Sequence, residues 1–162
     1  MNLQTIIDTA YLPAIKILGI ADSRKAQTMV LAIGLQESRF LYRSQMGNGP
    51  ARSFWQFVRG GGVRGVLTHA ASRVKAQQLC DALGYAPDGM TVWQAMEHDD
   101  VLGAGMARLL LLTDPRPLPE IDDEQAAWEY YFRNWRPGRP HRNVWNAQIG
   151  RASCRERVYL AV

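Results

Sequence analysis

The chain has 162 residues, 47% of them hydrophobic and 21% charged, with a formal charge of +4 and two cysteines. That size and apolar content predict one compact soluble domain with a real core and give no sign of a second domain. Two cysteines are too few for a disulfide framework.

Helical periodicity dominates, and no run shows the strict alternation of a half-buried strand. The first twenty residues lack a basic leader region and carry Asp8, Pro13 and Lys16 within their apolar stretch, so they predict neither a signal peptide nor a membrane span. Ile6, Ala10, Pro13, Ala14 and Ile17 predict a first helix, bent or restarted near Pro13 and ended by Gly19. Ser23 is an N-cap for a second helix through Phe40. Gly47 to Pro50 and Gly60 to Gly62 break the pattern, and GGGVRG reads as a mobile loop. A third helix is expected from Ala70 to Leu83, stopped by Gly84, and a short one from Thr91 to Met96, capped by Thr91. Asp99 or Asp100 caps a nearly all-apolar helix from Val101 to Leu112, and Asp122 and Asp123 open a last one reaching about Trp135. The fold class is therefore all-α.

The last fourteen residues, IGRASCRERVYLAV, have no apolar period and resemble translated sequencing-adapter DNA. Read back into codons, Ile149 to Val158 follows a common adapter in one frame, and a stop codon fits after Val162. The expected division is a domain over residues 1–148, with its native C-terminus truncated, and a non-native tail over 149–162. Removing Arg151, Arg155, Arg157 and Glu156 with that tail lowers the formal charge from +4 to +2. So small a charge, with arginines scattered along the chain, argues against nucleic acid as the partner. Cys80 is then the remaining thiol, with Leu79 and Leu83 on an expected core face.

One charge breaks the pattern of the second helix. Ala26, Met29, Val30, Ile33, Glu37 and Phe40 share a face, so Glu37 stands where an apolar residue is expected. Two readings are open. Glu37 lies past the last buried turn and pairs with Arg39, Arg43 or Arg52, or it is desolvated, holds its proton near neutral pH and serves as a general acid. The segment PARSFWQF then brings a small residue, aromatic rings and an amide together, which suits a sugar-binding groove, although taken alone it reads first as an aromatic core segment with Gln56 exposed.

Together, the two stretches resemble the lysozyme-like superfamily, in its lytic transglycosylase and goose-type lysozyme branch. Glu37, Ser38 and Phe40 match that branch's Glu-Ser-x-Phe, while Ala51, Ser53, Phe54, Trp55 and Gln56 align with its Gly-Ala-x-Gly-Leu-Met-Gln. Ser53 stands where the family has glycine, and the interval from Glu37 to Gln56 is one residue longer than the family's. DVLGAGMARLLLL resembles the family's Asn-Ile-x-x-Gly helix, with Gly103 or Gly105 allowing close helix contact. WEYYFRNWRPG resembles its Ala-Tyr-Asn-Ala-Gly segment, with Asn134 in place and Tyr130 or Tyr131 supplying a hydroxyl from one turn earlier. The resemblance implies a lysozyme-like fold, Glu37 as catalytic acid and base, and Ser38, Ser53, Phe54, Trp55, Gln56, Tyr131 and Asn134 as substrate-binding residues. Stretches such as QESRF and NWRPGRPH are also similar to those of small bacteriophage and prophage proteins.

His69, His98 and His141 are too dispersed for a metal site, GGGVRG lacks the lysine of a phosphate-binding loop, and Ser38 and Ser53 have no triad partners. Arg64 in that loop is available to an anionic group of the substrate. No cofactor is expected. The implied activity is cleavage of peptidoglycan glycan strands by a muramidase, with a lytic transglycosylase favoured because no carboxylate lies between Glu37 and Asp81 and only Asp99 or Asp100 offers a second one. The alternative is a catalytically inactive lysozyme-like protein that binds glycan or a phage partner protein. Without a signal peptide the protein is expected to be made in the bacterial cytoplasm and to reach the cell wall through a permeabilising partner or within a virion.

Overall fold

Short polar side chains start the helices. In the computed structural model, which describes residues 1–154, Ser23 accepts the Ala26 amide ahead of α3 (Arg24–Ser38), Asp99 accepts that of Leu102 ahead of α7 (Asp100–Leu112), and Asp123 accepts that of Ala126 ahead of α8 (Glu124–Trp135). The first expected helix is interrupted: α1 (Leu3–Ile6) passes through a wider π-type turn over Ile7–Tyr11 into α2 (Leu12–Leu18), with Pro13 at its start and left-handed Gly19 at its end. The short helix α6 (Gly89–Ala95) is capped by Asp88, not Thr91, because the Asp88 carboxylate accepts the Met90 and Thr91 amides and the Thr91 hydroxyl. α5 (Arg73–Leu83) stops, as its sequence predicts, at left-handed Gly84.

The described residues are mostly helical, so the all-α class holds, with one addition that the apolar pattern does not show. A two-stranded antiparallel hairpin pairs β1 (Ala51–Arg52) with β2 (Phe57–Val58), in the register Ala51 to Val58 and Arg52 to Phe57. Strands of two residues are too short to alternate. GGGVRG is also ordered differently from the expected mobile loop: Arg59–Val63 forms a π-type turn that runs directly into α4 (Arg64–Thr68).

α7 is the central element, buried from Leu102 through Leu111 and packed against α2, α3, α4 and α5. Its glycines admit neighbours that a methyl would displace. A Cβ at Gly105 would lie 2.4 Å from a Leu79 methyl of α5, and one at Gly103 would lie 2.7 Å from Ser53 Oγ and 3.3 Å from the Trp55 ring. Gly103→Ala should therefore cost about 1–3 kcal/mol by overpacking the hairpin turn, measured as a lower urea midpoint with an unchanged slope.

A last helix, α9 (Arg142–Cys154), crosses the expected boundary at residue 148. Trp145, Ile149 and Ala152 are buried, at helical spacing, where α9 packs on α3 and α8. The remainder of the adapter-like segment, residues 155–162, lies outside the described residues. Among the described residues, no helix is long and apolar enough to cross a membrane.

Candidate active site

α3 ends just after Glu37 because the chain reverses. Arg39 and Phe40 both take left-handed backbone, with φ of 56° each, and the Phe40 ring folds back over Gly34, where a Cβ would lie 2.2 Å from it. Ser38 holds this reversal: its hydroxyl donates to the Gly34 carbonyl (3.3 Å) and accepts the Phe40 amide (3.1 Å). Ser38 is buried and committed to backbone, which corrects its expected substrate contact to a capping role.

Glu37 itself keeps an exposed edge at the end of this buried helix. Burial pushes its carboxyl up to about 7, against a lowering contribution from the Tyr131 hydroxyl, which donates to Glu37 Oε1 at 2.5 Å. No arginine neutralises it. Arg43 makes a two-pronged pair with Asp100 (2.8 Å each), Arg52 pairs with Glu97 (3.1 Å), and Glu37 forms no ion pair among the described residues. The ion-pair reading of Glu37 is thus overturned.

Tyr131 is fixed from behind. Its ring lies flat against Trp145 of α9, centroids 5.2 Å apart at 14°, and touches Trp128 and Trp135 of its own helix. Tyr130, the other candidate, instead donates its hydroxyl to the Leu111 carbonyl at 2.8 Å and serves packing. Tyr131→Phe should remove a hydrogen bond that favours the charged form of Glu37 and so raise its titration midpoint by about one pH unit. A carboxyl-carbon NMR titration checks this, and an unchanged midpoint would remove Tyr131 from the site.

The hairpin turn departs from expectation. Phe54 and Trp55 are 1% and 0% exposed, so neither ring can stack on a sugar. They meet Phe40 edge to face at 5.5 and 5.6 Å, and Trp55 Nε1 donates to the Val30 carbonyl of α3 at 2.7 Å. With Phe40, which the reversal folds back over Gly34, these rings form one edge-to-face cluster against α3. Ser53 is also buried, with its hydroxyl accepting the Trp55 amide (3.2 Å) and its side chain directed at Gly103. Its φ of +72° is a conformation that favours glycine. It therefore fills the space that Gly103 leaves on α7.

Gln56 and Asn134 do meet in one cleft, of about 840 Å³, between the hairpin and α4, the end of α7, and the end of α8. Gln56 donates its amide nitrogen to the Ser53 carbonyl (2.8 Å), and Asn134 donates to Asp114 Oδ2 (2.8 Å) and the Tyr130 carbonyl (2.9 Å). Both amide oxygens remain as acceptors without a partner among the described residues. Although burial works against its charge, the Arg116 amide, Asn134 and Arg133 hold the Asp114 carboxyl below its usual range. Glu37 is not one of the residues lining this cleft; it connects to it through Tyr131 and Trp135, and Trp135 lines the cleft and donates Nε1 to the Trp55 carbonyl at 3.0 Å. Phe132, 48% exposed beside Trp128, adds an open aromatic surface next to Tyr131 that the sequence reading did not single out.

The two carboxylates held in reserve for a second role are occupied. Asp99 caps α7 and accepts the Tyr85 hydroxyl at 3.0 Å, while Asp100 is paired with Arg43. Among the described residues no group of three His, Cys, Asp or Glu side chains could hold a metal. Cys80 is buried, which pushes its thiol up to about 11 and makes it a poor nucleophile. No protein family, curated protein or solved structure significantly matches the chain.

Proposed function

We propose that the protein adopts a lysozyme-like fold and cleaves the glycan strands of peptidoglycan as a lytic transglycosylase, with Glu37 as its one acid and base. The observation that carries this reading is an unpaired, desolvated carboxyl at the exit of a buried helix, with an exposed edge and a midpoint of about 7. A group with that proton affinity can protonate the leaving oxygen of a glycosidic bond as oxocarbenium character develops, and then, as carboxylate, take the proton of the sugar's own hydroxyl. The bond to the leaving sugar breaks, an internal ether forms, and the anhydro product needs no water. The engagement of Asp99 and Asp100 elsewhere favours this route over hydrolysis, which requires a second carboxylate to direct water. Trp128, Phe132 and Trp135 offer the apolar faces first assigned to Phe54 and Trp55.

Mass spectrometry of digested cell walls tests the reaction: anhydro-terminated fragments from wild type and none from Glu37→Gln are the expected result, and reducing ends alone would make the enzyme a hydrolase.

A second reading, a lysozyme-like glycan- or phage-protein-binding scaffold without catalysis, is favoured by one observation. The cleft holding Gln56 and Asn134 is not lined by Glu37. Muropeptide binding that survives Glu37→Gln, with no cleavage product from either protein, selects it.

A further inference from the structure

The cleft has more positive charge than a neutral sugar requires. Arg64, Arg116, Arg133 and Arg136 all line it, against Asp114 as the one carboxylate in its wall. That carboxylate is already answered, since Arg133 binds it at 2.7 Å and Asn134 at 2.8 Å. Arg64, Arg116 and Arg136 are exposed and make no side-chain hydrogen bond or ion pair among the described residues. They come from three separate elements, the start of α4, the segment after α7 and the end of α8, so helix periodicity does not explain their convergence. Unpaired like charges raise the potential of a concave site and attract counter-charge to it. The cleft is open beside Arg64: a Cβ at Gly60 or Gly65, both in its lining, would meet no atom within 4 Å.

We infer that this cleft binds oxyanion groups, carboxylate or phosphate, of its ligand through Arg64, Arg116 and Arg136, while the Gln56 and Asn134 oxygens accept hydrogen bonds from neutral parts of the same molecule. Guanidinium groups suit both anions because their paired N–H donors match two oxygens at once. The inference is separate from cleavage, since it uses the arginines and not the Glu37 proton.

The full chain is titrated with inorganic phosphate, with a short glutamate oligomer and with single-stranded DNA of matched charge, following arginine side-chain and Gln56 and Asn134 amide resonances by NMR. Movement of these signals with phosphate or the glutamate oligomer is the expected result, and the stronger of the two identifies the group. Arg64→Gln, Arg116→Gln and Arg136→Gln should each weaken binding by about tenfold. Arg73→Gln, the same charge change on exposed α5, should not. All four arginines are exposed, so each variant is expected to fold, and circular dichroism verifies that. Equal weakening by Arg73→Gln would reduce the effect to overall charge and overturn the inference. So would signals that move with DNA alone, which would make the cleft a nucleic-acid groove, or with none of the three.

Discussion

Glu37→Gln should leave cell walls intact and, in alkaline buffer, give a more stable protein than wild type. Losing a positioned general acid typically costs about 10²- to 10⁴-fold in rate. Stability moves the other way because of where the proton sits. The carboxyl titrates near its ordinary 4.5 when unfolded and at about 7 when folded, so between those values the folded state binds the extra proton. Stability therefore falls as pH rises from 4.5 to 7 and stays low above, by an amount on the order of 3 kcal/mol. Glutamine keeps the shape and can still accept from Tyr131, but it carries no charge to desolvate. Calorimetry at pH 5 and pH 8.5 should show the variant's advantage in Tm at the higher value only. Lysis equal to wild type would remove Glu37 from catalysis, and a variant less stable at pH 8.5 would refute the burial account of its proton affinity.

Trp55→Ala should destabilise the fold by about 3–5 kcal/mol, a large loss against the roughly 5–15 kcal/mol that holds a domain folded. The indole is completely buried against Phe40 and Phe54, donates to the Val30 carbonyl, and lies where Gly103 leaves room for it. Its removal leaves a cavity between the hairpin turn, α3 and α7. Urea denaturation measures the loss. The result also separates two roles for the SFWQ segment: a groove residue would lose ligand affinity at nearly constant stability, whereas a core residue loses stability first.

Much of the frame was legible from local chemistry. Ser23, Gly19 and Gly84 mark helix ends because their side chain or lack of one acts within a few residues, and the structure uses each as expected. Glu37 was legible for the same reason: a carboxylate on an apolar stripe stands out by position alone. What failed was whatever depends on distant partners. SFWQ has the composition of either a groove or a core, and only the reversal at Arg39 and Phe40 decides for the core. The arginine cleft is assembled from residues 64, 116 and 136, whose separation in sequence hides their proximity. α9 is not legible because, of its buried positions Trp145, Ile149 and Ala152, only Trp145 precedes the adapter-like run.

Four of the five tryptophans stand in one connected group. Trp128, Trp135 and Trp145 all touch the Tyr131 ring, and Trp135 donates to the Trp55 carbonyl, while Trp93 stands apart on Pro50. α1 and α2 contain none. The intrinsic ultraviolet emission of this protein is thus a local optical readout of the surroundings of Glu37, sensitive to a ligand or a proton arriving there and nearly blind to fraying of the N-terminal helices.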